Sequence, residues 1–200
     1  MHRPPTACEA PERCVSGPAS EVYISVDIEA AGPVPGIYSM LALGACVVGH
    51  ADEAFYAELC PISDAFVPEA LRVGGLSMER LRREGRDPAD VMTAFATWVR
   101  DRGAGGLRPV FVAFNNSFDW AFVNWYFHQF VGANPFGIGG VDIKAYYMGL
   151  AGSAWAETTS SRLPTRFRST LPQTHNALDD ARAQADIFAK LVAVERLRAL

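Results

Sequence analysis

Hydrophobic and polar residues alternate over 22–28. Val22, Ile24, Val26 and Ile28 face one way and Tyr23, Ser25 and Asp27 the other, which predicts a strand with one apolar face. The loop AGPVPG (31–36) breaks it. MLALGACVVG (40–49) and AFYAELC (54–60) predict two more strands joined by a short polar turn, so the chain opens as a three-stranded meander. A helical half follows. Asp87 is placed as an N-cap, Pro88 at the first helical position and Gly103 at the end, with Val91, Phe95, Trp98 and Val99 on one face. PVFVAF (109–114) is a nearly all-apolar run suited to a strand buried on both sides. An aromatic-rich helix is expected from Phe118 to Phe130, ending at Gly132. GVDIKAYYMGL (140–150) reads as a strand running into a helix, 152–173 as a long loop, and the stretch from about Ala177 onward as the last helix. The order βββαβαβα predicts an α/β fold around a single mixed five-stranded sheet flanked by helices, the later strands parallel because helices cross between them.

Composition narrows the class. Half of the 200 residues are hydrophobic and a fifth charged, as in a soluble globular chain with a sizeable core. No apolar run has the length of a membrane span, so no membrane partner is expected. Residues 1–20 lack the apolar stretch of a signal peptide and read as a disordered tail, leaving 21–200 as the working domain. Cys8, Cys14, Cys46 and Cys60 show no CxxC spacing, which fits a reducing cytoplasmic compartment better than a zinc site or disulfide framework. The net charge of −4 argues against a protein that coats long nucleic acid, but not against an enzyme that grips a few nucleotides. Arg72, Arg80, Arg82, Arg83 and Arg86 read as a solvated surface. Arg162, Arg166 and Arg168 precede the His175 segment and are candidates for phosphate contact.

Three segments carry the candidate chemistry: VDIEA (26–30), NNSFDWAF (115–122) and HNALDDA (175–181). Asp27 and Glu29 are two apart on a strand and share a face, where they would repel each other unless a cation sat between them. Such pairs are common, about two being expected by chance from 22 acids in 200 residues. Asp119 opens a helix, where an acid equally serves the helix dipole. His175 and Asp180 are five apart, so on one continuous helix their side chains would diverge by roughly 140°. They meet only if His175 lies in the loop before the helix, which Pro172 and Thr174 favour. Asp180 flanks the stripe Leu178, Ala181, Ala185, Phe188 and Val192, and an acid at the edge of a buried face needs a partner or a metal. Asp179 and Asp186 point away from that stripe.

Together the segments resemble the three motifs of the DEDDh-type 3′–5′ exonucleases, a family of the ribonuclease H-like superfamily that includes proofreading exonucleases, ribonuclease T and oligoribonuclease. VDIEAAG resembles the first motif, FVAFNNSFDWAFV the second and HNALDDA the third, and VGGLSMERL resembles the stretch before the family's first long helix. The resemblance spans about residues 22–192. Ala30 and Ala31 stand where the family often has two threonines, and Phe114 where it often has histidine, so contacts to the terminal nucleotide differ.

The resemblance implies a ribonuclease H-like fold and two divalent ions, Mg²⁺ or Mn²⁺, held by Asp27, Glu29, Asp119 and Asp180. It implies His175 as general base, since an imidazole exchanges a proton near neutral pH. Nucleotide contacts are expected from Ala30, Asn115 and Phe118, on the 3′ ends of single-stranded DNA or RNA, with 5′-mononucleotides as product. A homodimer is left open. Two other readings compete: a non-catalytic nucleic-acid-binding or adaptor module on the same fold, and a phosphoesterase acting on small nucleotides.

Overall fold

The computed structural model describes residues 21–172 and 174–198, with side chains to 194. The expected disordered tail over 1–20 lies outside the described residues. Five strands form one sheet: β1 (Glu21–Ala30), β2 (Met40–Val47), β3 (His50–Glu58), β4 (Arg108–Ala113) and β5 (Gly140–Asp142), in the order β3-β2-β1-β4-β5. The first three pair antiparallel, and β4 and β5 run parallel to β1. This is the mixed sheet that the element order predicts. The β2–β3 turn is tighter than expected. Gly49 takes φ 87°, the left-handed conformation of a two-residue hairpin, so the polar run His50–Glu53 begins β3 instead of forming the turn. As a sheet edge, β3 can leave those residues in water.

Six α-helices and three single-turn 3-10 helices complete the described fold, the α-helices being α1 (Pro68–Gly74), α2 (Met78–Glu84), α3 (Pro88–Arg102), α4 (Asn116–Phe130), α5 (Ile143–Ala151) and α6 (Ala177–Arg198). Asp87 caps α3 by accepting the Ala89 and Asp90 N–H groups, Pro88 occupies its first turn and Gly103 ends it. Met92 and Ala96 are buried beside the expected Val91, Phe95 and Val99, while Trp98 is half-buried. Helices α3 and α4 cover one face of the sheet, where Phe95, Phe111, Phe122, Tyr126 and Phe127 pack against Ile24, Val26 and Ile28. Helices α1 and α2 add two short segments not predicted from periodicity, one ended by Gly75 at φ 63° and the other capped by Ser77. The arginines there are engaged in pairs: Arg72 with Glu69, Arg80 with Glu58, Arg82 with Asp64 and Arg83 with Glu79. Within the expected long loop, Leu163 and Phe167 are buried, packing with Ile143 and Tyr147 of α5 and Ile187, Phe188 and Leu191 of α6.

The predicted single apolar face of β1 is corrected by the structure: its other face is buried under α6. Ser25 is fully buried, and Tyr23 meets Phe188 edge-on at 5.3 Å. The cause lies one strand over. Gly44 pairs directly with Asp27, and a methyl group on it would stand 2.2 Å from the Ala177 carbonyl carbon. Only glycine lets the start of α6 settle onto the sheet at that point. Gly44→Ala is therefore expected to cost about 1–3 kcal/mol through overpacking and to lower the thermal midpoint by several degrees. A variant as stable as wild type would show that α6 does not depend on this approach.

Candidate active site

The C-terminal ends of β1 and β4 open into a cleft of about 240 Å³. Asp27 and Glu29 enter it from β1, Asp119 from the first turn of α4, Asp180 from the first turn of α6 and His175 from the loop before α6. Asn115 and Phe118 also line it, whereas Ala30 does not. Its side chain packs into the main core with Ile28, on alternate positions from Asp27 and Glu29. A larger hollow of about 640 Å³ at the opposite end of the sheet, beside Tyr23 and His50, contains none of the five motif residues.

Each motif side chain is held by backbone that the sequence shapes locally. Asp119 is buried, and its Oδ1 accepts the Ile28 N–H at 3.1 Å, joining α4 to β1 between the two strand carboxylates. Asn115 precedes α4 but makes no side-chain capping bond, so its amide is left at the cleft. Asn176 caps α6 by accepting the Leu178 and Asp179 N–H groups. That places His175 outside the helix, as the five-residue spacing to Asp180 requires. His175 adopts φ 56°, and Asp180 accepts both the Thr174 N–H at 3.0 Å and the His175 N–H at 3.2 Å. Asp180 thus orders the loop that carries the imidazole. Asp179 bonds Thr174 and Arg182, and Asp186 pairs with Lys190, so neither joins the cleft. In the second arginine cluster, Arg162 pairs with Glu157, Arg166 lies over the Phe167 ring and Arg168 bonds the Leu163 carbonyl.

Three contributors escaped sequence reasoning. Gln184, one helical turn beyond Asp180, donates to Asp27 Oδ1 and accepts the Phe114 N–H at 2.8 Å. Its i,i+4 spacing from Asp180 is the one signal that could have found it. Asp142 caps α5 and accepts the Asn116 N–H at 2.9 Å, fixing the start of α4. Gly74 closes α1 onto the site, where an added Cβ would lie 2.9 Å from Glu29 Oε2.

Three of the cleft's carboxylates resist ionisation. Burial, followed by repulsion from Asp119, Glu29 and Asp180, holds Asp27 well above the usual carboxylate range, and the Gln184 bond opposes this. Burial and then Asp180 push Glu29 up to about 7. Burial is the main cause that raises Asp119 to about 7, partly offset by the Ile28 N–H. Such a set calls for positive charge. Glu29, His175 and Asp180 each offer a ligand atom, all within 4.8 Å of one another, so the residues present fit a divalent cation.

A folded protein that keeps protons the unfolded chain releases loses stability as pH rises through that window. For Glu29 and Asp119 the window runs from 4.5 and 3.8, respectively, to about 7. The metal-free thermal midpoint should fall between pH 4 and 7, and the increment added by a divalent cation should grow over the same range. A cation increment that is flat with pH in thermal unfolding would contradict carboxylate ligation.

A mixed sheet with four acids and a histidine brought to one cleft by the end of β1, α4, α6 and the loop before α6 defines a fold of the ribonuclease H-like class. No family profile matches the chain. Over 168 residues it is 45% identical to the 3′-5′ DNA exonuclease Cap18 of Escherichia coli, covering 84% of this chain and 90% of that protein. Among solved structures, a full-length 3′-exonuclease superposes with TM-score 0.71 at 12% identity, covering 89% of this chain and 84% of the other. The nuclease domain of 3′hExo, a DEDDh family member bound to rAMP, gives 0.67 at 12% identity over 88% and 93%. Escherichia coli exonuclease I in complex with a dT13 oligonucleotide gives 0.66 at 16% identity, over 90% of this chain and 42% of that one. The chain belongs to the DEDDh-type 3′–5′ exonucleases and is a 3′–5′ exonuclease.

Proposed function

We propose that the enzyme degrades single-stranded DNA from a free 3′ end to 5′-mononucleotides. In this reading Asp27, Glu29, Asp119 and Asp180 hold two divalent ions, Mg²⁺ or Mn²⁺, and His175 is the general base. The observation that carries it is the convergence of three acids held above their ordinary range with Asp180 and an imidazole at one cleft. All-oxygen donors suit such hard cations. When bound, a metal pair supplies charge stabilisation to both the attacking and the leaving oxygen of a phosphodiester.

The protein's own groups supply position and proton transfer. His175, exposed at the rim, accepts the proton of the attacking water, while Asp180 holds its backbone. Asn115 and Phe118 meet the terminal nucleotide, the first by its uncommitted amide and the second by its ring. DNA is favoured over RNA because the 45%-identical relative is named a DNA exonuclease. A reducing cytoplasmic setting is consistent with Cys46 and Cys60 being free thiols.

Digestion of matched 5′-labelled DNA and RNA oligomers, linear and circular, tests this. Linear DNA should yield a ladder shortening from the 3′ end, circular single strands should resist, and RNA should be cut more slowly. Binding without cleavage would favour the adaptor module, and cleavage confined to small nucleotide esters the phosphoesterase. Equal cleavage of RNA would remove the DNA preference.

A further inference from the structure

We propose that Gln184 is a positioning residue for this reaction, holding the Asp27 carboxylate in the orientation that serves the cation site; the proposal rests on the metal-dependent reading above. The Gln184 side chain spans two fixed groups. Its Oε1 accepts the Phe114 N–H at 2.8 Å, and its Nε2 donates to Asp27 Oδ1. A backbone N–H can only donate, so Phe114 determines which end of the amide is oxygen and leaves the NH₂ group aimed at Asp27. That bond takes one lone pair of Oδ1 and fixes the plane of the carboxylate, leaving Oδ2 free of it. Gln184 is 6% exposed, so water does not compete for either bond. The same amide ties β1 to the turn between β4 and α4, which carries Asn115 and leads into Phe118 in the first turn of α4. The cation site and the nucleotide contacts therefore share one rigid link.

An apolar residue of similar length would fill this space as well, but it would leave both the Phe114 N–H and the Asp27 carboxylate without this partner. Hydrogen-bond partners of metal ligands commonly contribute 10–100-fold in metal affinity or activity.

The test compares Gln184→Met, which deletes both bonds, with Gln184→Glu, which keeps an acceptor for Phe114 but sets a second carboxyl against Asp27. Mn²⁺ binding is measured by calorimetry without substrate, thermal unfolding without metal, and kcat and KM on a DNA oligomer across Mn²⁺ concentrations. Gln184→Met should weaken Mn²⁺ binding by roughly 10–100-fold, with a similar loss of kcat at limiting Mn²⁺. KM for the oligomer should hold, and saturating Mn²⁺ should recover most of kcat, which a merely structural defect would not allow. Gln184→Glu should bind Mn²⁺ at least as weakly, and it carries the test should Gln184→Met not fold. A folded variant with wild-type Mn²⁺ affinity would overturn the role of Gln184 alone. Wild-type protein that binds no Mn²⁺ would overturn the metal reading, and this proposal with it.

Discussion

Asp27→Asn should leave a folded protein with exonuclease activity reduced by a factor on the order of 10²–10³ or more. Asp27 sits at the centre of the site, is half-buried and feels repulsion from all three other carboxylates. An asparagine there keeps the size and can still accept the Gln184 bond, but it removes the charge that would draw a cation in. Two readouts should move in opposite directions. Activity falls, while the metal-free thermal midpoint above pH 7 holds or rises, because an acid crowded by three other carboxylates has been replaced by a neutral amide. The wild-type enzyme should be silenced by chelation and restored by Mg²⁺ or Mn²⁺. An Asp27→Asn protein that unfolds would identify the residue as part of the scaffold. One that stays active, or a wild-type enzyme that works in excess chelator, would remove metal-dependent hydrolysis from consideration.

What the sequence made legible was mostly local. The parity of Asp27 and Glu29 on a strand, the Asp87–Pro88 start of α3 and the rotation argument that placed His175 before α6 each depend on a few neighbouring residues, and each agrees with the structure. The missed features depend on partners far along the chain. Helices α1 and α2 have seven residues each, too few for periodicity to register. The second face of β1 is buried because Gly44, in another strand, admits α6, and nothing in residues 22–28 announces that. Gln184 looks like a solvent-facing helix residue until Phe114 and Asp27 are found on either side of it, 70 and 157 positions away. Ala30, expected to meet the nucleotide, does not line the cleft, because strand alternation, which pairs Asp27 with Glu29, turns the next side chain into the core.

His175→Ala should keep metal and DNA binding and lose roughly 10²–10⁴ in turnover. The imidazole has two available roles, since it lies close enough to Glu29 and Asp180 to ligate a cation and is also exposed to attacking water. Metal affinity separates them: a ligand's loss weakens Mn²⁺ binding, whereas a base's loss lowers kcat alone. The backbone complicates a simple truncation, because residue 175 adopts φ 56°. Asparagine accepts that conformation more readily than most residues, so His175→Asn tests the chemistry with the loop conformation preserved. The Asp180 carboxylate accepts from the backbone N–H of residues 174 and 175 and not from the imidazole, so both variants keep this restraint. The pH profile needs saturating metal. With too little, Glu29 and Asp119, which burial pushes to about 7, would add their own protonation to the acid limb. Under saturating metal the wild-type rate should rise across the range where an imidazole loses its proton, and that rise should vanish in both variants. An active His175→Asn enzyme with the wild-type pH profile would remove histidine from proton transfer and leave the carboxylates and their cations to carry the hydrolysis.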